Sequence, residues 1–468
     1  MASLVGALKQ HYQEKGAINQ MAIQKNVGED VCLSDGTKIR ELLDLEEGYI
    51  SSRVIGDPEI HQMEIERIFS KVWVPIAHES EIPNKGDYVL RYIGNEEVIV
   101  SRSEGGVINV VLNACTHRGS PVCRSEMGNS SHFRCPYHGF TFKQNGDLIG
   151  VPAHKEAFGD AFDKTQYSLV KARAATYAGL IFGTFNDSAP PLEEQLGSMK
   201  WYLDMMLSHT HGGMEVIGVP QRWTVKSNWK LGADNFVGDA YHTFMTHQSA
   251  VQLKIVPSGD PKFAFYGVHV SCENGNGLGL IGAPPEYELP PFYGVPQNIV
   301  EQIEQKLTPE HQKAFSRLAY IHGNIYPNMS FGYFSWATEA GKNPGSYLTL
   351  RQWVPKGPHE MEVFSWVLVE KEAPDWWKEL ARETYVRTFG SSGMLEQDDT
   401  EMWKNITRAT KGYIASSKLK FIYRMGIDRK PEQGDWPGPG TVYQGDYSEA
   451  NQLNIWRQWH KLLTENNE

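Results

Sequence analysis

The spacing of apolar residues changes from helical to strand-like early in the chain. The segment DPEIHQMEIERIFSKVW, which begins at Asp57, predicts a helix because its apolar positions recur with the period of one helical face. Those positions are Ile65, Ile68, Phe69 and Val72. The stretches YVLRYIG, EEVIVSRS and GVINVVLNAC then alternate, are rich in valine and isoleucine, and are separated by turn residues. With AATYAGLIFGTFN, which ends at Asn186, they predict a small all-β domain over residues 73–190.

The pattern is mixed beyond Pro190. A helical stretch, LEEQLGSMKWYLDMMLSH, precedes strand-like text, and two later strands (YLTLRQWVPK and MEVFSWVLVEK) precede a helix from Pro374 to Thr388. Residues 272–298 are rich in glycine and proline and predict a long loop. The GNGLG within it has no strand–helix context, so we do not interpret it as a nucleotide site. Residues 1–40 predict a helical arm that ends at the turn-like SDG beginning at Ser34.

Composition and charge exclude several classes of protein. A chain of 468 residues with 40% hydrophobic content is too long for one ordinary core, and a net charge of −11 argues against nucleic-acid binding. No apolar run reaches the ~18 residues of a membrane span, and the N-terminus lacks the pattern of a secretory signal. The five cysteines are few and odd in number, which indicates a reducing, cytoplasmic setting with no disulfide framework. We interpret Cys123 as a free thiol.

A first group of metal-binding residue types lies in the predicted β domain. Cys115 and His117 form C-x-H, and after a 17-residue gap Cys135 and His138 form C-x2-H. Two thiolates and two imidazoles suit a [2Fe–2S] centre in which one iron is held by cysteines and the other by histidines. The alternative is a structural zinc site, which Cys2His2 sets also form.

A second group lies about a hundred residues downstream, in NWKLGADNFVGDAYHTFMTHQ from Asn228 to Gln248. His242 and His247 can converge only if the helix is irregular or ends between them, because their spacing of five does not suit one helical face. Two histidines with one distant carboxylate form the facial triad that holds non-haem Fe(II). The alternative is a pair of surface histidines on a helix.

These motifs resemble those of a known family. CTHRG and CPYHGF resemble the Rieske signature, the segment around His242 resembles a catalytic-iron motif, and FGSSGMLEQDDTEMW resembles the stretch that supplies its carboxylate. From about Leu42 onward the chain resembles the α subunit of a bacterial Rieske aromatic-ring-hydroxylating dioxygenase, of the naphthalene/biphenyl dioxygenase group. The resemblance implies an α+β fold: a small all-β Rieske [2Fe–2S] domain (73–190) inserted in a helix-on-antiparallel-sheet catalytic domain (41–72 and 191–468).

The resemblance also implies roles for individual residues. His242, His247 and Asp399 are expected to hold the mononuclear iron, with Asp399 rather than Asp398 matching the carboxylate. Asp239 is expected to bridge the two sites of adjacent subunits in a ring of three, contacting His242 and His138 of the partner subunit. Such a contact would set the basicity of a ligand histidine, so Asp239→Asn is expected to keep both metals and lose coupled turnover.

Further residues are implied by the same match. Asn235 is expected near the iron as a weak or water-mediated ligand. The expected substrate cavity is lined by Phe236, Val237, His322, Asn324, Phe334, Phe389 and Leu395. These positions are mostly apolar and include no arginine or lysine, although Lys254 or Arg317 could reach inward. Because a buried carboxylate needs a cationic partner, they favour a neutral bicyclic or polycyclic arene.

The implied activity is cis-dihydroxylation of an arene to a cis-dihydrodiol in aromatic hydrocarbon catabolism. The co-substrate is O2, and the electrons come from NADH through a separate reductase and ferredoxin. A small β subunit is expected, in an α3β3 or α3 assembly. The alternatives are an oxygenase acting on a phthalate-like aromatic carboxylate, a Rieske mono-oxygenase or demethylase, and, from another class, a zinc-stabilised binding protein.

Overall fold

The computed structural model describes residues 30–255, 265–339 and 341–465. The predicted N-terminal arm therefore lies mostly outside the described residues. Its last part contains the predicted turn, in which the Gly36 N–H donates to the Leu33 carbonyl at 2.9 Å. Residues 30–38 form this turn and an isolated bridge rather than a helix, and a 3-10 helix, Ile39–Leu42, follows.

The smaller region is built on a seven-stranded antiparallel sheet. In spatial order its strands are Val74–His78, Leu180–Thr184, Lys171–Tyr177, Ile108–Leu112, Glu96–Arg102, Asp87–Ile93 and Met127–Asn129. A three-stranded sheet beside it consists of Leu148–Gly150, Thr141–Lys143 and His132–Arg134. Strands Val74–His78 and Leu180–Thr184 are buried at every position, and Asp87–Ile93 at all but its first. Valine and isoleucine suit such packed strands, because β-branched side chains fit the pleated surface.

The larger region is organised around a nine-stranded antiparallel sheet. Eight strands follow one path: Met214–Val216, Glu360–Glu370, Pro344–Gly357, Met329–Ala337, Leu318–Ile325, Gly277–Gly282, Val268–Ser271 and Thr441–Gln444. The ninth, Gln221–Val225, also pairs with Glu360–Glu370. Both faces of this sheet are buried: Phe334 and Trp336 belong to one hydrophobic core, and Phe331 and Tyr333 to another.

Helices pack against this sheet. Those in contact with its strands include Trp229–Phe236, Asp375–Thr388 and Ala450–Thr464. Further helices in the described residues are Arg53–Gly56, Pro58–Glu64, His154–Phe158, Leu192–Leu196, Met199–Leu207, Thr243–Thr246, Gln248–Gln252, Gln297–Lys306, Pro309–Phe315, Met394–Thr410 and Tyr413–Lys418, with a π-helical turn Ile65–Phe69 and 3-10 turns Lys164–Tyr167 and Pro291–Gly294. A short sheet joins Leu43–Asp44 and Tyr49–Ser51 to Lys420–Ile422. The α+β fold class is confirmed.

Of the predicted helices, Asp375–Thr388 is continuous and the two earlier ones are interrupted. Asp57 caps the first by accepting hydrogen bonds from the backbone of Glu59 and Ile60, and the helix continues through the π turn. The second is divided at Gly197, which has a φ of 51°. Among the described residues, no helix is long and apolar enough to cross a membrane.

The prediction of one long loop over residues 272–298 is wrong. Gly277–Gly282 is a buried strand inside the large sheet. Its glycines serve close packing, because a Cβ at Gly279 would lie 2.6 Å from His322 Nε2 and one at Gly282 would lie 2.1 Å from the Tyr266 carbonyl oxygen. Glycine in a central strand is the signal of such close approach, and in the sequence it is indistinguishable from the signal of a loop.

Candidate metal centres and the predicted pocket

Two loops of the same shape hold the C-x-H and C-x2-H motifs. In the first, Gly119 N–H donates to the Cys115 carbonyl at 2.7 Å; in the second, Gly139 N–H donates to the Cys135 carbonyl at 3.0 Å. Both glycines have positive φ, 72° and 75°, which glycine adopts without strain. We call these segments, 115–120 and 135–140, the paired loops.

The paired loops bring their four donor side chains to one place. Cys115 and Cys135 are buried, and the rings of His117 and His138 lie 4.4 Å apart between centroids. The His117 ring stacks on Phe140 at 4.8 Å, which fixes its plane. His117 Nδ1 is buried with no hydrogen-bond partner in the protein. An orphaned ring nitrogen next to two thiols is the donor arrangement that a metal bond would satisfy.

The environment of the two sulfurs differs. Burial raises the pKa of the Cys115 thiol. Burial also acts on Cys135, but the backbone N–H groups of Tyr137 and His138 point at its sulfur and lower its pKa. N–H groups directed at sulfur stabilise thiolate, which is the form that binds metal.

The geometry separates the cluster from the zinc alternative. A tetrahedral zinc needs all four donors around one ion. Among the described residues, the group whose donor atoms lie within 4.8 Å of one another is His242, His247 and Asp399, and the four residues of the paired loops do not form such a group. The wider spread of cysteines and histidines fits a two-iron cluster instead.

The second centre forms where a helix ends. Helix Trp229–Phe236 stops before the two histidines, and the short helix Thr243–Thr246 has His242 at its N-cap and His247 at its C-cap. The expectation that the helix is irregular or ends between the two histidines is confirmed in its first form, because regular helix stops at Phe236 and a separate short helix lies between the histidines. The third residue, Asp399, comes from helix Met394–Thr410, more than 150 positions later in the chain.

The donor atoms of His242, His247 and Asp399, which we call the His/Asp triad, converge. The two Nε2 atoms are 3.1 Å apart, and Asp399 Oδ1 is 3.3 Å from each of them. Burial would raise the pKa of Asp399, but the two histidines lower it strongly. Burial likewise opposes the charged form of His242, while the carboxylates of Asp239 and Asp399 raise its pKa well above its usual value. Two imidazoles and one ionised carboxylate around a common point fit a divalent metal.

The Nδ1 atoms of the two histidines, which face away from the triad, also have polar neighbours. His242 receives contacts from Asp239, whose Oδ1 accepts from the His242 backbone N–H at 3.2 Å and whose Oδ2 lies 3.5 Å from its Nδ1. Asn235 Nδ2 lies 3.5 Å from the same Nδ1. Sequence reasoning missed the equivalent contact at His247, where Asp398 Oδ2 lies 3.4 Å from Nδ1. The adjacent aspartates thus point at opposite sides of the site.

Three of the predicted pocket residues form an aromatic wall: Phe236, Phe334 and Phe389. Phe389 lies 4.9 Å from Phe334 and 5.8 Å from Phe236 between ring centroids. Sequence reasoning missed Trp336, which stacks on Phe334 at 4.3 Å. Strand alternation could have found it, since residues two apart on a strand share a face.

The remaining pocket candidates are all buried, with different roles. His322 Nδ1 is 3.0 Å from the Phe236 carbonyl, so it is tied to the aromatic wall. The Asn324 side-chain oxygen accepts a hydrogen bond from the Ser330 hydroxyl, and its side-chain nitrogen donates to the Pro327 carbonyl. Asn324 therefore has a structural role. Val237 packs closely against Gly277, since a Cβ there would lie 3.1 Å from its Cγ2. Leu395 belongs to the same hydrophobic core as the aromatic wall.

Three cations near the predicted pocket have different surroundings. Arg317 pairs with Asp435 at the surface, 3.0 Å away, and does not reach inward. Lys254 lines a cavity of about 280 Å³ together with Trp336. Arg351, which sequence reasoning missed, lies behind the aromatic wall and is paired with Glu396. The wall itself presents no unpaired charge among the described residues.

Comparison with known families agrees with both centres. The model of the Rieske [2Fe-2S] domain matches residues 72–172, and that of the ring hydroxylating alpha subunit catalytic domain matches residues 194–425. The chain is 34% identical to the benzene 1,2-dioxygenase α subunit of Pseudomonas putida, with 92% of this chain and 94% of the relative covered. It is 35% identical to the N,N-dimethyl phenylurea N-demethylase α subunit of Sphingobium sp. strain YBL2, covering 92% and 96%.

A solved structure is more similar still. Naphthalene 1,2-dioxygenase from Rhodococcus sp., bound to indole, superposes with a TM-score of 0.88 at 49% identity, covering 92% of this chain and 98% of that one. The chain belongs to the α subunits of the Rieske ring-hydroxylating dioxygenases. It is an oxidoreductase of the type that cis-dihydroxylates aromatic hydrocarbons, with a [2Fe–2S] cluster and a non-haem iron as cofactors. Members of the family work with ferredoxin and reductase partners and often a β subunit.

Proposed function

We propose that this chain dihydroxylates an uncharged two- or three-ring aromatic hydrocarbon. The observation that supports this most is the aromatic wall, in which three phenylalanine rings meet and the adjoining Arg351 is already paired with Glu396. Burial of a flat apolar substrate contributes roughly 25 cal/mol per Å², whereas an unpaired buried carboxylate would be costly. A phthalate-like acid is therefore disfavoured.

We propose that Cys115, His117, Cys135 and His138 hold the cluster, and that the His/Asp triad holds the mononuclear iron. When bound, these groups supply electrons and an O2-binding site. Asp398 and Asp239 fix the orientation of the two ligand histidines from their outer sides. The aromatic wall and His322 exclude water and orient the ring, with the His322 tautomer set by its Nδ1–H donating to the Phe236 carbonyl.

The assembly is the next part of the proposal. Asp239 retains a side chain that is 33% exposed, and His138 lies on a loop whose neighbour Tyr137 is 62% exposed. These exposures support a contact in which Asp239 bridges to His138 of the partner subunit in an α3 or α3β3 ring. We further infer the domain boundaries 41–72 with 191–468, and 73–190. The five unpaired cysteines support a reducing, cytoplasmic setting.

A second candidate function is oxidative N-demethylation. It is favoured by the 35% identity to the demethylase α subunit, which is as high as that to the dioxygenases among the curated relatives. The two functions share both metals, so only the substrate and product separate them.

The test is a substrate comparison with the purified chain, supplied with NADH, a ferredoxin and a reductase. The panel is naphthalene, its carboxylated analogue 2-naphthoate, and N,N-dimethyl phenylurea. We expect a cis-dihydrodiol from naphthalene and at least tenfold lower turnover of 2-naphthoate. A tenfold change corresponds to about 1.4 kcal/mol, and burying an unpaired carboxylate costs more than that.

Two results would contradict the proposal. Preferential conversion of 2-naphthoate would mean that a cation reaches the substrate. Formation of formaldehyde from the dimethyl urea, without any dihydrodiol from naphthalene, would assign the chain to the demethylases.

A further inference from the structure

Arg351 is a buried cation that directly adjoins the aromatic wall. It lies on strand Pro344–Gly357, has no exposed surface, and its guanidinium carbon is 4.8 Å from the Phe389 ring centre and 5.3 Å from that of Phe236. Its Nη1 donates to the Glu396 carboxylate and its Nη2 to the Phe389 carbonyl. The planar fork of arginine directs two separate nitrogens at these two acceptors, whereas lysine would have to reach both from a single nitrogen.

These two bonds join the ends of two helices. The Phe389 carbonyl stands at the C-terminus of helix Asp375–Thr388, where a cation is favourable. Glu396 stands in the first turn of helix Met394–Thr410, where an anion is favourable. Arg351 therefore holds together the two ends of the turn that joins these helices, through its bonds to Phe389 and Glu396.

The positions of Phe389 and Asp399, one on each side of this turn, both depend on the two bonds of Arg351. Phe389 is part of the aromatic wall, and Asp399 lies three positions beyond Glu396, one helical turn along the same helix. Movement of the turn would shift the wall and the triad carboxylate relative to each other. Local packing is tight, since a Cβ at Gly393 would lie 2.3 Å from the Thr388 carbonyl oxygen.

A buried ion pair is weak evidence for stability, because well-packed apolar residues of the same volume are often as stable. The Arg351–Glu396 pair has a more specific effect, since it defines where two helices meet beside the pocket.

We propose that Arg351 is a positioning residue that sets the Phe389 ring and the Asp399 helix relative to each other, and so determines which ring carbons are oxidised. The regiochemical consequence rests on the proposed function; the structural consequence does not.

The test compares Arg351→Lys with a matched control, Arg91→Lys. Arg91 is also a buried arginine paired with a glutamate, Glu81, and stacked on two aromatic rings at 5.5 Å, but it lies away from the triad on strand Asp87–Ile93. Crystal structures of both variants, and the product ratio from phenanthrene, whose ring positions are not equivalent, are measured alongside iron content.

In Arg351→Lys we expect the Phe389 ring to move relative to Phe236 by about 1 Å, and the ratio of phenanthrene dihydrodiols to change by about threefold or more, with iron retained. Arg91→Lys is expected to lower the melting midpoint and leave the ratio unchanged. The double variant Arg351→Gln/Glu396→Gln, which removes both charges, is expected to change the ratio in the same way.

Three outcomes would overturn the proposal. An unmoved Phe389 with an unchanged ratio in Arg351→Lys would make the pair a structural contact only. An equal change of the product ratio in Arg91→Lys would mean that loss of any buried arginine pair alters the ratio, whatever its position. Loss of fold or iron in both Arg351 variants would also show a structural role. If the wild-type chain oxidises no arene, the proposed function fails, while the displacement of Phe389 still tests the positioning role.

Discussion

The two proposed metal centres of this chain are built in opposite ways. In the paired loops, all four donors come from 24 consecutive residues, and each loop holds its own cysteine and histidine with local hydrogen bonds. In the His/Asp triad, two donors flank a four-residue helix and the third arrives from a different helix, so the site exists only when the large sheet and its helices are packed.

This difference shows in the glycines that each centre needs. Gly119 in the paired loops has open space around its α-carbon and is required for its positive φ. Gly279 beside the assembled pocket has ordinary φ and is required for its lack of volume. A locally built site depends on backbone conformation, and an assembled site depends on packing.

The largest effect is expected from the paired loops. Cys135→Ser should remove the cluster while leaving the triad able to bind its iron, so iron content should fall from about three per chain to about one. Catalytic turnover should then be undetectable, because no electrons reach the triad. Cys123→Ser is the control: this buried thiol lies outside the four donors, and cluster content measured by EPR should be unchanged. Loss of the mononuclear iron together with the cluster would show that the centres are not independent.

The triad is tested by its two adjacent aspartates. Asp399→Ala should abolish iron binding at the triad and turnover, while the cluster keeps its EPR signal. Asp398→Ala removes only a contact to the outer side of His247, and should weaken iron binding by about 10–100-fold. Iron titration of both variants gives the comparison. The reverse order of the two variants would assign the ligand to Asp398.

The packing of the assembled site predicts a smaller change. In Gly279→Ala the new methyl group would lie within 2.9 Å of both His322 and Asp446, so we expect a loss of about 1–3 kcal/mol in unfolding free energy and a raised KM. Gly357→Ala is the control, because a Cβ there meets nothing within 4 Å, and its effect should stay within about 0.5 kcal/mol. Urea unfolding measures both. Equal effects would mean that space is not what Gly279 provides.

The boundary between the two regions predicts a pH effect. Burial lowers the pKa of His78 to about 4, and its Nδ1 accepts a hydrogen bond from Ser80, whose hydroxyl accepts one from Val216 in the large sheet. Since the folded pKa lies below the unfolded value, His78 is neutral when folded, and stability is lost as the pH falls through about 6.5 towards 4.

Between pH 7.5 and pH 5 the wild type should therefore lose roughly 2 kcal/mol more than His78→Asn, which stays neutral and can still cap. Urea unfolding at the two pH values measures the difference. An identical loss in both proteins would place the acid sensitivity elsewhere.

Sequence reasoning was most successful where the information is local. The irregular helix around the two histidines and the long strands of the large sheet follow from short spacings and alternation. The four donors proposed in the paired loops rest on the same kind of local spacing. The role of Asp399 required a family resemblance, since a pair of aspartates in an acidic segment carries no signal of what it faces. The strand at Gly277–Gly282 and the position of Arg351 were missed, because both are defined by residues distant in sequence.

The central claim is that the two centres act together to add both atoms of one O2 to an uncharged arene. The most direct test supplies the purified chain, its ferredoxin and reductase, and naphthalene with an equimolar mixture of ordinary and isotopically heavy O2, and measures the mass of the product. We predict a cis-dihydrodiol that contains either two ordinary or two heavy oxygen atoms. Product with one oxygen of each kind, or with a single inserted oxygen, would contradict the account.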